Sequence, residues 1–186
     1  MFFNLKSLIY ILIFFNIFIA KGCLRTNEHS GDHMKLETVD YVDIKRFMGD
    51  WYVIANIPTF IEKGATNAIE SYKLASDGTV ETTFTFFKGS PDGPKKVYRP
   101  KGFIKNKETN AEWRMQFIWP FKMPFLIIDL DENYLYTVIG IPSKKYVWIM
   151  ARNPVLDDDT YNGIIDRLSK SGYNTSLVQK LVQDWD

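Results

Sequence analysis

The sequence predicts an all-β domain of eight antiparallel strands followed by one α-helix. Three observations carry that prediction. Between Trp51 and Arg152, short apolar-rich runs recur, several with strict period-two alternation. Clusters of Gly, Asp, Asn, Ser and Pro separate the runs at short, even spacing. Beyond Pro154 the apolar period changes to that of a helix.

The elements follow in order. Residues 42–49, "VDIKRFMG", suit a short helical turn, with Asp43 as N-cap and Gly49 ending it. Residues 51–57 form the first strand and residues 67–75 the second. "SDGT" at 76–79 contains Asp-Gly, a strong hairpin signal. The third strand, 80–88, sets Val80, Thr82, Phe84 and Phe86 on one face. The fourth, 95–105, contains Pro100 and Gly102. A proline removes a ladder donor, so this strand is at an edge, bulged or bent there. The fifth, 111–119, alternates Trp113, Met115 and Phe117 against Arg114 and Gln116, and "PFKMP" at 120–124 breaks it. Residues 125–130 and 134–140 pair across "DEN", and residues 145–152 form the eighth strand. Pro154 and three aspartates at 157–159 suit a helix start. Tyr161, Ile164, Ile165 and Leu168 give that helix an apolar stripe, and Gly172 is a natural stop. The last residues, 176–186, add a short strand.

Eight antiparallel strands close as a sandwich or as a barrel, and periodicity does not separate the two. Short hairpin turns fit up-and-down order better than Greek-key crossovers. An up-and-down barrel of eight can leave room for one small ligand. The longest gap, "PTFIEKGAT" at 58–66, has the size of a lid.

The N-terminus stands outside this pattern. Lys6 precedes an apolar run at 8–20 that only Asn16 interrupts, so residues 1–22 read as a secretory signal. Cys23 is the single cysteine and excludes an internal disulfide. Small residues followed by cysteine resemble a bacterial lipobox, although Ala20 stands where leucine is usual and Lys21 is atypical. That resemblance implies acylation of Cys23. Leu24, in place of an aspartate, favours an outer-membrane anchor on the periplasmic side. Without acylation the protein is expected to be secreted. Residues 23–38 read as a polar tether and residues 39–186 as the folded domain. Lys+Arg is 23 and Asp+Glu is 22. There is no broad basic excess, so nucleic acid is not an expected partner.

Three short motifs then carry a resemblance. Gly49-x-Trp51 opens the first strand, "DENY" at 131–134 turns into the seventh, and Arg152 closes the eighth. In this order and spacing the chain, from about residue 39 to 173, resembles the lipocalins. It closely resembles the bacterial outer-membrane lipocalins and their apolipoprotein D relatives. The resemblance implies an eight-stranded antiparallel up-and-down β-barrel with one C-terminal α-helix packed outside. It implies structural roles for Gly49, Trp51, Asp131, Tyr134 and Arg152, with the arginine lying across the tryptophan at the closed end. It also allows a homodimer.

A barrel of this kind would line its cavity with inward residues. Phe84 and Phe86 come from the third strand, and Tyr98 and Ile104 from the fourth. Trp113, Met115 and Phe117 come from the fifth, Tyr136 from the seventh, and Tyr146, Trp148 and Met150 from the eighth. Aromatic and Met walls with few charges suit an acyl chain, so fatty acids or lysophospholipids are the expected ligands. Lys63, Arg99, Lys101 and Arg114 are candidates for a head group near the open end. Catalysis is not expected. His29 and His33 both lie in the tether, so the domain has no histidine for a base or metal ligand. "LDDD" at 156–159 suits a helix start better than a cation site, and no spacing places two carboxylates in the cavity. No cofactor and no metal are expected.

Overall fold

The structure is a computed structural model that describes residues 36–185. The signal segment and Cys23 lie outside the described residues. α1 spans Ile44–Phe47. Ten strands follow it: β1 Gly49–Ile57, β2 Ala65–Leu74, β3 Thr79–Lys88, β4 Lys95–Tyr98, β5 Lys101–Ile104, β6 Glu112–Ile118, β7 Phe121–Leu130, β8 Tyr136–Gly140, β9 Val147–Ala151 and, near the end, β10 Gln179–Lys180. α2, Asp158–Lys170, lies between β9 and β10. Neighbouring strands pair antiparallel, and β9 returns to pair with β1, which closes a barrel. β4 and β5 both pair with β3 and together make one stave, so the barrel has eight.

Two differences from the expected strands have simple causes. The fourth strand breaks at Arg99-Pro100, where proline cannot donate to the ladder. Residues 120–124 do not break the sheet. Pro120 follows Trp119 through a cis bond in a tight turn, and β7 already starts at Phe121. Pro124 sits within β7 opposite Arg114.

The buried residues form two layers. Inside the barrel lie Trp51, Val53, Tyr72, Phe84, Phe86, Trp113, Phe125, Ile127 and Met150. Between the outer face and α2 lie Ala55, Leu126, Val138, Ile149, Ile164 and Leu168. β1 serves both layers because its register shifts between Val53 and Ala55. A bulge there turns the later residues to the other face. α2 starts where expected, with Asp157 accepting a hydrogen bond from Thr160 N at 2.9 Å. It ends at Lys170, and Gly172 beyond the cap takes a φ of +84° that suits glycine.

The floor of the barrel explains the sequence motifs physically. Asp43 caps α1, accepting from Lys45 N at 2.9 Å and Arg46 N at 3.3 Å. Phe47 is fully buried, with its ring centroid 5.1 Å from Trp51 and 5.4 Å from Trp113. Gly49 takes φ +95° and starts β1, rather than ending the turn. A side chain there would be strained, and its Cβ would stand 3.4 Å from Arg152 Nη1. Arg152 lies 3.7 Å above the Trp51 ring. Its Nη1 donates to Asp50 O at 2.7 Å, and its Nη2 donates to Arg46 O at 2.7 Å and Met48 O at 2.9 Å. Asp131 accepts from Asn133 N and Leu135 N, and so shapes the turn. Tyr134 takes φ +62°, and its hydroxyl accepts from Asp43 N at 2.7 Å. Arg46 covers the Tyr134 ring at 4.1 Å.

Candidate ligand site

The end opposite α1 is the mouth. It is made by the loops at 58–64, 89–94, 119–120 and 141–146. The longest, between β1 and β2, folds back on the barrel through Glu62. That side chain is 6% exposed. Its Oε1 accepts from Trp148 Nε1 at 2.6 Å, and its Oε2 accepts from Thr59 N at 3.0 Å and Thr59 Oγ1 at 2.7 Å. The loop is thereby tied to the inner face of β9.

Below the mouth the wall is aromatic. Phe86 stacks on Tyr98 with centroids 6.1 Å apart, and Phe84 touches both rings. Met150 and Met115 are buried, and Ile104 and Trp148 are half-buried against the same cluster. Trp113 lies deeper, stacked on Phe125 at 5.3 Å, and donates to Asn110 O at 2.7 Å. Tyr146 stands at the mouth, 6.3 Å from the Trp148 ring.

Two residues fall elsewhere than expected. Tyr136 faces outward, where its hydroxyl accepts from Arg167 Nη2 at 3.1 Å beneath α2. In β8, Thr137 and Ile139 are the fully buried alternates, and the strand is buried on both faces. Phe117 is 47% exposed because β6 loses register between Met115 and Ile118 and runs out to the hairpin tip. Of the cationic candidates, Lys101 pairs with Asp77 at 3.1 Å in the closed-end turn, away from the mouth. Arg114 is on the outward alternate of β6. Lys63 is exposed in the lid loop, and Arg99 is exposed in the break between β4 and β5.

The interior also holds acidic groups that sequence spacing did not place there. Glu70 points inward from β2, 8% exposed, between Ala68 and Tyr72. Tyr72 donates its hydroxyl hydrogen bond to Glu70 Oε2. Burial pushes the Glu70 carboxyl up to about 7; the Tyr72 bond opposes that rise and the nearby charge of Glu62 adds to it. Burial, then the Glu70 charge, pushes the Tyr72 phenol well above its usual range. Thr82, opposite Tyr72 on β3, is 3% exposed, and its Oγ1 has no hydrogen-bond partner. The available signal was the inward row Ala68, Glu70, Tyr72, since a charge two residues from a tyrosine on one face marks a polar patch.

A shallow groove of about 300 Å³ lies outside the barrel, between α2 and β7–β8. Its Arg167 and Asp129 are paired with each other, Nη2 2.7 Å from Oδ2.

A family model described as a lipocalin-like domain matches residues 42–183. The chain belongs to the lipocalin family. It is 31% identical to apolipoprotein D of Mus musculus over 162 residues, covering 82% of each chain. It is 23% identical to the outer membrane lipoprotein Blc of Vibrio cholerae over 161 residues, covering 86% of this chain and 90% of that one. This lipocalin thus falls with the Blc and apolipoprotein D group. Its fold matches insecticyanin of the tobacco hornworm Manduca sexta with a TM-score of 0.62 at 20% identity, covering 81% of this chain and 85% of that one.

Proposed function

We propose that this lipocalin binds and carries a small apolar, membrane-derived lipid inside its barrel. One observation carries the proposal. The interior is walled by Phe84, Phe86, Tyr98, Trp148 and Met150, closed below by Trp51 and Arg152, and overlain by a loop tied down through Glu62. The driving force is desolvation, about 0.8 kcal/mol for each CH₂ moved from water. Release would require the Glu62–Trp148 bond to open.

The place of work we propose is the cell envelope. The signal-like segment, Cys23 and the likeness to a protein named an outer membrane lipoprotein support it. The mouth supports it as well: Ile118, Trp119 and Phe121 are exposed at the β6–β7 tip, with Trp119 at 81%. An apolar tip beside the mouth suits collection of ligand from a membrane surface. Native mass spectrometry of protein extracted from its own cells tests the binding reading. A co-purifying lipid is expected, and a barrel that is always empty and cannot be filled overturns it.

A second reading, lipid chemistry, draws on Glu70 alone. A carboxyl pushed up to about 7 suits general acid–base work. Incubation with candidate lipids and mass analysis separates the two. Binding predicts that every lipid is recovered unchanged.

A further inference from the structure

We propose that Glu70, Tyr72 and Thr82 form a polar subsite deep in the barrel, which receives the hydrogen-bond-donating end of an apolar ligand: a hydroxyl or an amine, entering first. This rests on the lipid-binding reading and refines it.

The geometry comes from β2 and β3. Tyr72 stands opposite Thr82, and Glu70 opposite Phe84. Glu70, Tyr72 and Thr82 all take inward positions on one strand pair, with Thr82 the diagonal neighbour of Glu70. Two of them have unused capacity. Thr82 Oγ1 is buried without a partner. Among the described residues, Glu70 receives only the Tyr72 hydrogen bond, on Oε2, and no salt bridge reaches it. Nearby interior residues are Trp51, Val53, Phe84 and Met150, which offer the carboxylate no charge.

Core packing does not require this arrangement. A buried tyrosine needs one acceptor, and a backbone carbonyl or water serves at less cost than a carboxylate. A buried carboxylate with one open oxygen, beside an unpartnered hydroxyl, is unsatisfied on its own and complete once a donor arrives. An alcohol donates to Glu70 and accepts from Thr82. An ammonium donates to both. A chain inserted methyl-first leaves both unpaired, and a carboxylate end meets Glu70 with like charge. Recognition of this kind discriminates strongly, because the wrong end group leaves buried polar atoms unpaired.

The charge on Glu70 sets the pH dependence. Tyr72 faces it from β2, Glu62 from the lid loop, and Arg152 from the end of β9, where its charge is felt by Tyr72. β1 presents Trp51 and Val53, and β3 presents Thr82 and Phe84. The Tyr98 ring borders Phe84 from β4. With the carboxyl pushed up to about 7, the subsite is anionic above that pH and neutral below it. Amines should therefore gain affinity, and fatty acids lose it, as pH rises through 7.

The test is displacement of a fluorescent apolar probe, N-phenylnaphthylamine, by a chain-matched fatty alcohol, fatty amine, fatty acid and fatty acid methyl ester. It is run one unit above and one unit below about 7 on the protein and its Thr82→Val and Glu70→Leu variants. Above 7 the alcohol and amine are expected to bind about tenfold or more tighter than the acid and the ester. Thr82→Val should narrow that gap, and Glu70→Leu should erase it. If Glu70→Leu does not fold, Thr82→Val and the pH profile of the native protein decide. Four equal affinities, unchanged by pH, overturn the subsite and leave the lipid-binding reading intact. No binding by any of the four overturns both.

Discussion

Glu70→Gln should make this protein more stable above neutral pH and change little in acid. The substitution keeps the shape and an acceptor oxygen for the Tyr72 hydroxyl, and it removes the charge. In the folded protein the Glu70 carboxyl titrates at about 7, against an ordinary value of 4.5. The sign follows from proton binding. Between those values the folded protein holds the proton and the unfolded chain has released it. Protonated Glu70 therefore favours the fold below 4.5, and that advantage is lost as pH rises through about 7. The interval corresponds to about 3 kcal/mol. At the size of this domain, that is a difference in Tm of about 6–12 °C.

The assay is urea unfolding of both proteins across a pH series from below 4.5 to above 7. The gap in stability between variant and wild type should be constant in acid, widen through the interval and level off above it. Every other titrating group is common to the two proteins, so the change in the gap isolates Glu70. A gap that stays constant across the series refutes the reasoning. It would mean that Glu70 ionises with no burial penalty.

Three further predictions concern the groups around it. Glu62→Gln removes a like charge that raises the Glu70 carboxyl, so the Glu70 midpoint should fall; NMR titration of the side-chain carboxyl carbon reads it directly. Arg152→Met deletes the cation over Trp51 and the hydrogen bonds to Asp50, Arg46 and Met48 carbonyls, and thermal unfolding should show a loss of about 2–4 kcal/mol. Trp148→Ala removes part of the wall and the donor that holds Glu62, so lipid affinity should fall at least about tenfold and stopped-flow release should quicken while the barrel still folds.

Strand number, the closed floor and the outer helix were legible because each rests on local chemistry. Asp-Gly and Asp131 specify turns, and Gly49 suits a φ no other residue adopts without strain. Counting faces along a strand failed for Tyr136 and Phe117. Alternation assumes an unbroken pleat and one wet face. β1, β2 and β7 each shift register, between Val53 and Ala55, Thr66 and Ile69, and Ile127 and Asp129. β8 is covered by α2 on one side and core on the other, so Tyr136 carried no sign of its direction. Phe117 lies where β6 loses register, and the strand has by then risen out of the core.

Glu70 escaped notice for a different reason. A charge on a strand is usually assigned to the wet face, because burying it is costly. Here the expected cost is about 3 kcal/mol above neutral pH, of the same order as the loss expected for Arg152→Met at the floor. The two are therefore linked through total stability, which for a domain is only about 5–15 kcal/mol. A firm floor lets the interior tolerate an ionised group. If the floor is weakened by Arg152→Met, the charge at Glu70 takes a larger share of what remains. The floor variant should then unfold most readily above neutral pH, and Glu70→Gln should restore much of its loss there and little in acid. Equal rescue of the floor variant by Glu70→Gln in acid and above neutral pH would refute this reasoning.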